Sequence, residues 1–146
     1  MKQAKILNAN EYKRLLAATM MTRHADRNRI AVVLSFGAGL RACEIAAITV
    51  ADVMDSEGNV KSSAVLKAHQ TKGKKAHTIF LSDAVQSEIK KYLEKYTHLK
   101  TSKHETLIRS QKLGAFTSAS LQNLFKHLFK SIGLDDCSSH SGRRTL

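Results

Sequence analysis

The sequence of 146 residues predicts an α+β domain that is mainly helical, with a small antiparallel β-sheet inserted between helices. Apolar residues recur at spacings of three and four along several stretches, which is typical of amphipathic helices. Between Val53 and Leu81 the pattern changes to short runs of β-branched and apolar residues around a basic turn, which predicts the sheet. The length predicts one domain with a single hydrophobic core.

The first two helical segments lie before residue 50. Asn8 precedes Glu11 by three residues, a capping-box pattern that predicts the start of the first helix. The second segment carries an apolar stripe that begins at Ile30, and we predict a break from Gly37 to Gly39. The helix is expected to resume in "RACEIAAI".

The sheet and the remaining helices follow in order. The runs "VKSSAVLKA" and "AHTIFLS" flank the basic turn "HQTKGKKAH" and predict either a β-hairpin or a three-stranded sheet. Ser82 is expected to cap the next helix, and Thr117 caps the clearest one, whose apolar stripe ends at Gly133. A last helix is predicted to begin at Ser138 or Ser139.

The chain is strongly basic, with 24 lysines and arginines against 12 acidic residues and a formal net charge of +12. Such a charge favours polyanionic partners, of which nucleic acid is the commonest, with an anionic membrane surface as the rival. No stretch of 18 apolar residues and no signal-peptide core is present, so we predict a cytoplasmic protein that does not bind membranes. The two cysteines form no CxxC pair and the seven histidines are scattered, so neither a disulfide framework nor a zinc site is predicted.

Three basic positions have settings that suit phosphate binding. Arg41 follows "GAG" at a helix start, where the glycines permit a sharp turn and the helix N-terminus adds partial positive charge. Lys72 lies in the turn between the predicted strands. His140 and Arg143 share the first turn of the last helix, and each of these signals is weak when taken alone.

Their order is more specific than any one of them. The stretches "SFGAGLRACEIAAITVADV", "TKGKKAHTIFLS" and "SSHSGRRTL" together resemble the catalytic domain of tyrosine recombinases, the phage integrase family. The first resembles the family's first-arginine box, the second its β-hairpin lysine, and the third its His-x-x-Arg box. The matched positions are Gly39, Leu40, Arg41, Glu44, Ile45, Asp52, Lys72, His140, Arg143, Arg144 and Thr145.

The resemblance implies a reaction at a DNA phosphodiester without metal or nucleotide cofactor. It implies that Arg41 and Arg143 bind the non-bridging oxygens, that Lys72 is the general acid for the leaving 5′-oxygen, and that His140 contacts the phosphate or the nucleophile. Three further basic residues are expected to bind the DNA backbone: Lys74 and Lys75 through the charge of the basic turn, and Arg144 next to the His-x-x-Arg box.

Glu44 is one helical turn from Arg41. By analogy with carboxylates that orient metal ligands, it is expected to orient His140 or Arg41. A plain ion pair on the helix face is nearly as good an interpretation.

The family pattern continues to a nucleophilic tyrosine beyond the His-x-x-Arg box. Tyr12, Tyr92 and Tyr96 all lie upstream, so no nucleophile is assigned among them. We therefore expect residues 1–146 to be a partial catalytic domain, without the family's N-terminal DNA-binding domain and its C-terminal tyrosine segment, and inactive alone.

Three functions remain open from the sequence. The first is a catalytic-domain fragment of a site-specific recombinase, with double-stranded DNA and other recombinase protomers as partners. The second is a catalytically inactive DNA-binding remnant or regulator of prophage origin. The third, a basic helical protein that binds RNA or ribosomes, is disfavoured by the three ordered boxes.

Overall fold

The architecture is a bundle of helices with one small sheet, as seen in a computed structural model that describes residues 7–71, 75–96, 105–108 and 116–134. The predicted fold class, mainly helical with a small antiparallel sheet between helices, is confirmed. The elements in chain order are α1 Ala9–Thr19, α2 Ala25–Ala38, α3 Ala42–Ala47, α4 Val50–Val53, β1 Ser63–Leu66, a 3₁₀ turn Ala68–Gln70, β2 His77–Phe80, α5 Asp83–Lys95 and α6 Ser118–Ser131.

Three of the four predicted helix caps lie in the described residues and are confirmed. Asn8 Oδ1 accepts the Glu11 N–H at 2.8 Å, and Glu11 Oε1 accepts the Asn8 N–H at 3.1 Å, which is a complete capping box. Ser82 Oγ accepts a backbone N–H of the first turn of α5, and Thr117 Oγ1 does the same for α6. Each cap satisfies a donor that the helix itself cannot pair, so short local patterns determine where these helices start.

The predicted break from Gly37 to Gly39 is wrong in its first part. Helix α2 continues through Gly37 and ends only at Gly39, which has a left-handed φ of 71°. Gly37 is needed for a different reason, because a Cβ at this position would lie 2.5 Å from Val85 Cγ2. The absence of a side chain therefore allows α2 and α5 to pack closely.

The sheet is a two-stranded antiparallel hairpin within the described residues, which decides between the two predicted alternatives. Ala64 pairs with Ile79, and Leu66 pairs with His77. Ala64, Leu66 and Ile79 are buried, whereas Val65 on the opposite face is exposed. The hairpin thus covers the core with one face, and His77 is on that same face.

Helix α2 is the centre of the domain. It packs against α1, α3 and α5, and α6 packs against α1 and α3. The largest side chains with almost no solvent exposure come from every layer of this arrangement: Leu15, Ile30, Leu34, Leu40, Ile45, Ile48, Leu66, Ile89, Leu93, Phe125 and Phe129. Helix α3 is therefore enclosed between α2 and α6, so a residue at its start has a well-defined position.

None of the described helices combines the length and apolarity that crossing a membrane requires.

Candidate functional site

The turn between α2 and α3 places Arg41. Gly39 donates its N–H to Ser35 O at 3.2 Å, and Leu40 donates to Leu34 O at 3.3 Å, a bonding pattern that ends helices with a left-handed residue. The Leu40 side chain is fully buried beneath this turn. Arg41 follows as the N-cap of α3, with extended backbone angles and partial exposure.

The Arg41 guanidinium has no hydrogen-bond or ion-pair partner in the part of the chain that the structure describes. Its backbone N–H, by contrast, donates to Glu44 Oε1 at 2.8 Å. This N–H at the start of α3 is therefore already paired with a carboxylate of the same helix. What Arg41 offers to an anion is its planar guanidinium, which has five donors and no acceptor.

Glu44 is almost completely buried, with 3% of its surface exposed. Its second oxygen, Oε2, lies 2.8 Å from His77 Nε2 on β2. The carboxylate thus contacts the backbone of Arg41, and its role in orienting His140 or Arg41 stays a prediction. The alternative interpretation, an ion pair on the helix face, is not observed.

His77 was not singled out by the sequence. Its ring is 45% exposed and reaches Glu44 because β1 and β2 pair with His77 opposite Leu66, on the core-facing side of the hairpin. The signal available in the sequence was its spacing of two from Ile79, since alternate strand residues share a face. The register that brings it to α3 is a tertiary feature.

A second buried carboxylate, Asp52, lies in α4. Asp52 Oδ2 accepts the Thr49 N–H at 2.9 Å and Gln70 Nε2 at 2.7 Å. The Gln70 amide also donates to Ala47 O at 3.0 Å, at the end of α3. Asp52 belongs to the first-arginine box that the sequence matched, whereas Gln70 was missed.

The basic segment between the strands begins directly after Gln70. Thr71 Oγ1 donates to Lys75 O at 2.9 Å and accepts the Lys75 N–H at 3.1 Å, so one hydroxyl joins the two ends of residues 71–75. The Lys75 side chain is exposed, as a role in DNA-backbone binding requires. Lys72 and Lys74 lie outside the described residues.

The His-x-x-Arg box also lies outside the described residues, including His140, Arg143 and Arg144 and the predicted cap at Ser138 or Ser139. Of the predicted site, the structure therefore brings together Arg41, Glu44 and the ends of the lysine segment. The roles given to all of the site residues stay predictions, namely Arg41, Glu44, Lys72, Lys74, Lys75, His140, Arg143 and Arg144.

The side chains of all three tyrosines contact other residues of the fold. Tyr92 donates its hydroxyl to Leu107 O at 3.1 Å, and Tyr96 donates to Asp26 Oδ2 at 3.2 Å. Tyr12 packs its ring 5.4 Å from that of Phe36. Burial raises the pKa of Tyr12 and of Tyr96, which makes their hydroxyls harder to deprotonate.

Comparison with known proteins decides the family. The sequence profile of the phage integrase family matches residues 5–146, almost the entire chain. The chain belongs to the phage integrase family. Its fold is that of the tyrosine recombinase catalytic domain, which confirms the resemblance seen in the sequence.

Several solved structures share this integrase fold. The XerA recombinase superposes with a TM-score of 0.72 at 22% identity, over 98% of this chain and 49% of that one. The lambda integrase, residues 75–356 bound to DNA, gives a TM-score of 0.73 at 18% identity over 99% of this chain and 50% of that one. The XerH site-specific recombinase bound to difH gives 0.71 at 20% identity, over 99% and 42%.

This integrase-family chain spans about half the length of those solved structures or less, from 42% to 50%. At these identities the similarity establishes the fold. No curated protein sequence matches the chain significantly.

Proposed function

We propose that this chain is part of the catalytic domain of a site-specific DNA recombinase, which binds double-stranded DNA in the cytoplasm. The complete protein would cut one strand through a phosphotyrosine and rejoin it, in integration or excision. The observation that carries the proposal is Arg41: it matches the family's first arginine, its backbone is fixed by Glu44, and its guanidinium has no partner among the described residues. The DNA-bound state of the related lambda integrase and XerH supports the same substrate.

The reaction needs positive charge at the phosphate. Attack of a tyrosine oxygen on phosphorus increases the charge on the non-bridging oxygens, and donors that are already in place stabilise that charge without reorganising. A guanidinium can donate two parallel N–H bonds to a phosphate, so Arg41, together with Arg143, suits this role.

The leaving group needs a proton. The 5′-oxygen departs as an alkoxide unless an acid protonates it, and Lys72 is the proposed general acid. His140 is proposed to hydrogen-bond the phosphate or assist the nucleophile. Glu44 supports the site by fixing the backbone of Arg41.

DNA binding itself is proposed to rest on charge. The excess of basic residues gives a net charge of +12, and Lys74, Lys75 and Arg144 are the proposed contacts to the DNA backbone. Binding through phosphates releases counterions, so the affinity should fall steeply as salt rises. Other recombinase protomers on the same DNA are proposed as further partners.

A salt titration of DNA affinity tests this proposal. Duplex DNA should bind the chain with a log affinity that falls linearly with log salt, and Arg41→Ala or Lys75→Ala should each reduce the slope by about 0.9. Arg23, an exposed arginine before α2, supplies the charge-matched control, and Arg23→Ala should leave the slope unchanged. Binding that does not depend on salt, or equal effects of all three variants, would contradict the proposal.

A nicked duplex that traps the covalent intermediate tests the chemistry. We propose that none of Tyr12, Tyr92 and Tyr96 is the nucleophile, so the chain should form no covalent adduct with this DNA. An adduct mapped to one of these tyrosines by mass spectrometry would overturn that assignment. In a protein that also carries the tyrosine segment, Arg41→Ala should slow cleavage by about 10²–10³-fold.

The same cleavage assay separates the two DNA-binding functions. An inactive DNA-binding regulator of prophage origin would share the salt dependence of binding and differ only in chemistry. Binding without cleavage by a protein that carries both the basic boxes and a downstream tyrosine would favour this second function.

A further inference from the structure

The segment that carries the basic turn is attached at both ends to the helices next to Arg41. At its start, Gln70 Nε2 donates to Asp52 Oδ2 at 2.7 Å. At its end, His77 Nε2 lies 2.8 Å from Glu44 Oε2. The two carboxylates are both buried, with 3% of Glu44 and 8% of Asp52 exposed.

The Gln70 side chain uses all of its polar groups. Its amide nitrogen donates to Ala47 O at 3.0 Å as well as to Asp52, and its carbonyl oxygen accepts the Lys67 N–H at 2.9 Å. Only 5% of Gln70 is exposed. A glutamine buried in this way fixes the chain in three directions at a point two residues before Lys72.

The Glu44 carboxylate links both halves of the site. One oxygen accepts the backbone N–H of Arg41, and the other contacts His77. Through this one side chain, the residue proposed to bind phosphate and the second end of the lysine segment share a common anchor. Thr71 adds a cross-link within the segment through its two bonds to Lys75.

Burying these polar side chains costs more free energy than burying an apolar contact of the same size. Burying polar groups is unfavourable unless every one is paired, so the net gain in stability is small. What directional bonds supply is a defined geometry, because an apolar contact tolerates small shifts and a hydrogen bond does not.

We propose that Gln70 and His77 are positioning residues, which fix Thr71 and Lys75, the described ends of the lysine segment, relative to Arg41 through Asp52 and Glu44. The inference rests on the proposed function, since it gives that segment a place at the same phosphate. It assigns no contact with DNA to Gln70 or His77. Their effect reaches the DNA only through the neighbouring lysines.

Amide hydrogen exchange of the full chain without DNA tests the positioning itself. Gln70→Ala and His77→Ala should each accelerate exchange of the Thr71 and Lys75 amides, which are both hydrogen-bonded, by at least about fivefold, the factor that corresponds to about one net hydrogen bond. The larger effect is expected in Gln70→Ala, which loses three bonds. Exchange in α5 and α6 should stay unchanged, which a general loss of stability would not allow. His77→Arg should restore slow exchange, because a guanidinium can donate to Glu44.

Gln86 provides the matched control. Its amide donates to Leu81 O at 2.7 Å, a contact of the same type at the start of α5. Gln86→Ala should leave exchange of the Thr71 and Lys75 amides unchanged. His77→Ala changes a side chain that is partly exposed, so it provides a second variant if Gln70→Ala fails to fold.

Lysine acetylation with and without duplex DNA, read by mass spectrometry, tests the consequence. DNA should protect Lys72 and Lys75 in the unsubstituted chain, and this protection should fall at least about threefold in both variants, because His77→Ala loses one side-chain contact and Gln70→Ala loses three hydrogen bonds. Unchanged exchange of the Thr71 and Lys75 amides in both variants would overturn the positioning role even if the chain binds DNA. If DNA protects neither lysine in the unsubstituted chain, the proposed function fails, whatever the exchange rates show.

Discussion

Helices α2 and α5 meet in a way that differs from the junction between α3 and the hairpin. The first interface is apolar at its centre, where Gly37 approaches Val85, and its charged pairs lie at the edge. The second has its carboxylates, Glu44 and Asp52, inside. The apolar interface between α2 and α5 contributes stability through burial. The junction that contains the buried carboxylates fixes the positions of chain segments that carry the proposed chemistry.

The edge pairs illustrate the contrast. Arg29 donates two bonds to Glu88, at 3.0 and 3.1 Å, and Lys95 lies 2.6 Å from Asp26. All four side chains keep substantial exposure, so solvent and salt screen these pairs. Removing one partner there leaves a charge that water can solvate, which is not the case for Asp52.

The largest effect on stability is expected at the apolar interface. Ile89 is fully buried on α5, and Ile89→Ala should lower the free energy of unfolding by about 2–5 kcal/mol through lost burial and a cavity. Urea denaturation measures the loss. Where the variant remains folded, its salt slope for DNA binding should equal that of the unsubstituted chain, and a changed slope would show that the two regions are not separate.

Gly37→Ala tests the close approach of α2 and α5. The added Cβ would lie 2.5 Å from Val85 Cγ2, and relieving this overlap should cost about 1–3 kcal/mol, against about 1 kcal/mol that alanine gains over glycine within a helix. Thermal unfolding of Gly37→Ala, Val85→Ala and the double variant measures the coupling. The double variant should be more stable than the sum of the single changes predicts, and strict additivity would contradict the contact.

Asp52 distinguishes the need for an acceptor oxygen from the need for charge. Asp52→Ala leaves the Thr49 N–H and the Gln70 amide without their shared acceptor and should cost about 1–3 kcal/mol. Asp52→Asn keeps one oxygen at that point and should cost less. Equal losses for the two variants in urea denaturation would show that charge matters instead.

The smallest effect is expected at the edge, where acid should weaken the ion pairs. The hydrogen bond from Arg29 lowers the pKa of Glu88 below its ordinary value of 4.5, and that from Lys95 lowers the pKa of Asp26. The folded pKa values lie below the unfolded ones, so this stabilisation is complete above about 4.5 and is lost as the pH falls through the folded values. In Glu88→Gln, the free energy of unfolding should therefore fall less between about pH 5 and about pH 2 than it does in the unsubstituted chain.

Much of the fold follows from local patterns in the sequence. The caps at Asn8, Ser82 and Thr117 are confirmed because a cap depends on residues within one turn. The stripe of α6 is confirmed because helical periodicity directly determines which residues face a core. Gly37 was misread because its role depends on Val85, which is distant in sequence.

The candidate site was predictable only in part, for a similar reason. Arg41 and Glu44 were found because their spacing belongs to one family motif, and Asp52 lies in the same motif. Gln70 and His77 were missed because their partners are set by strand register and by the packing of the 3₁₀ turn on α4. No local pattern encodes that a glutamine and a histidine seven residues apart reach two carboxylates of neighbouring helices.

The most direct test of the account is a crystal structure of this chain with duplex DNA. The account predicts that the Arg41 guanidinium lies about 2.7–2.9 Å from a non-bridging phosphate oxygen, the usual length of a charge-assisted hydrogen bond. Glu44 should keep its contacts with the Arg41 N–H and with His77 in that complex. DNA bound on another face, with Arg41 in solvent and distant from every phosphate, would contradict the central claim.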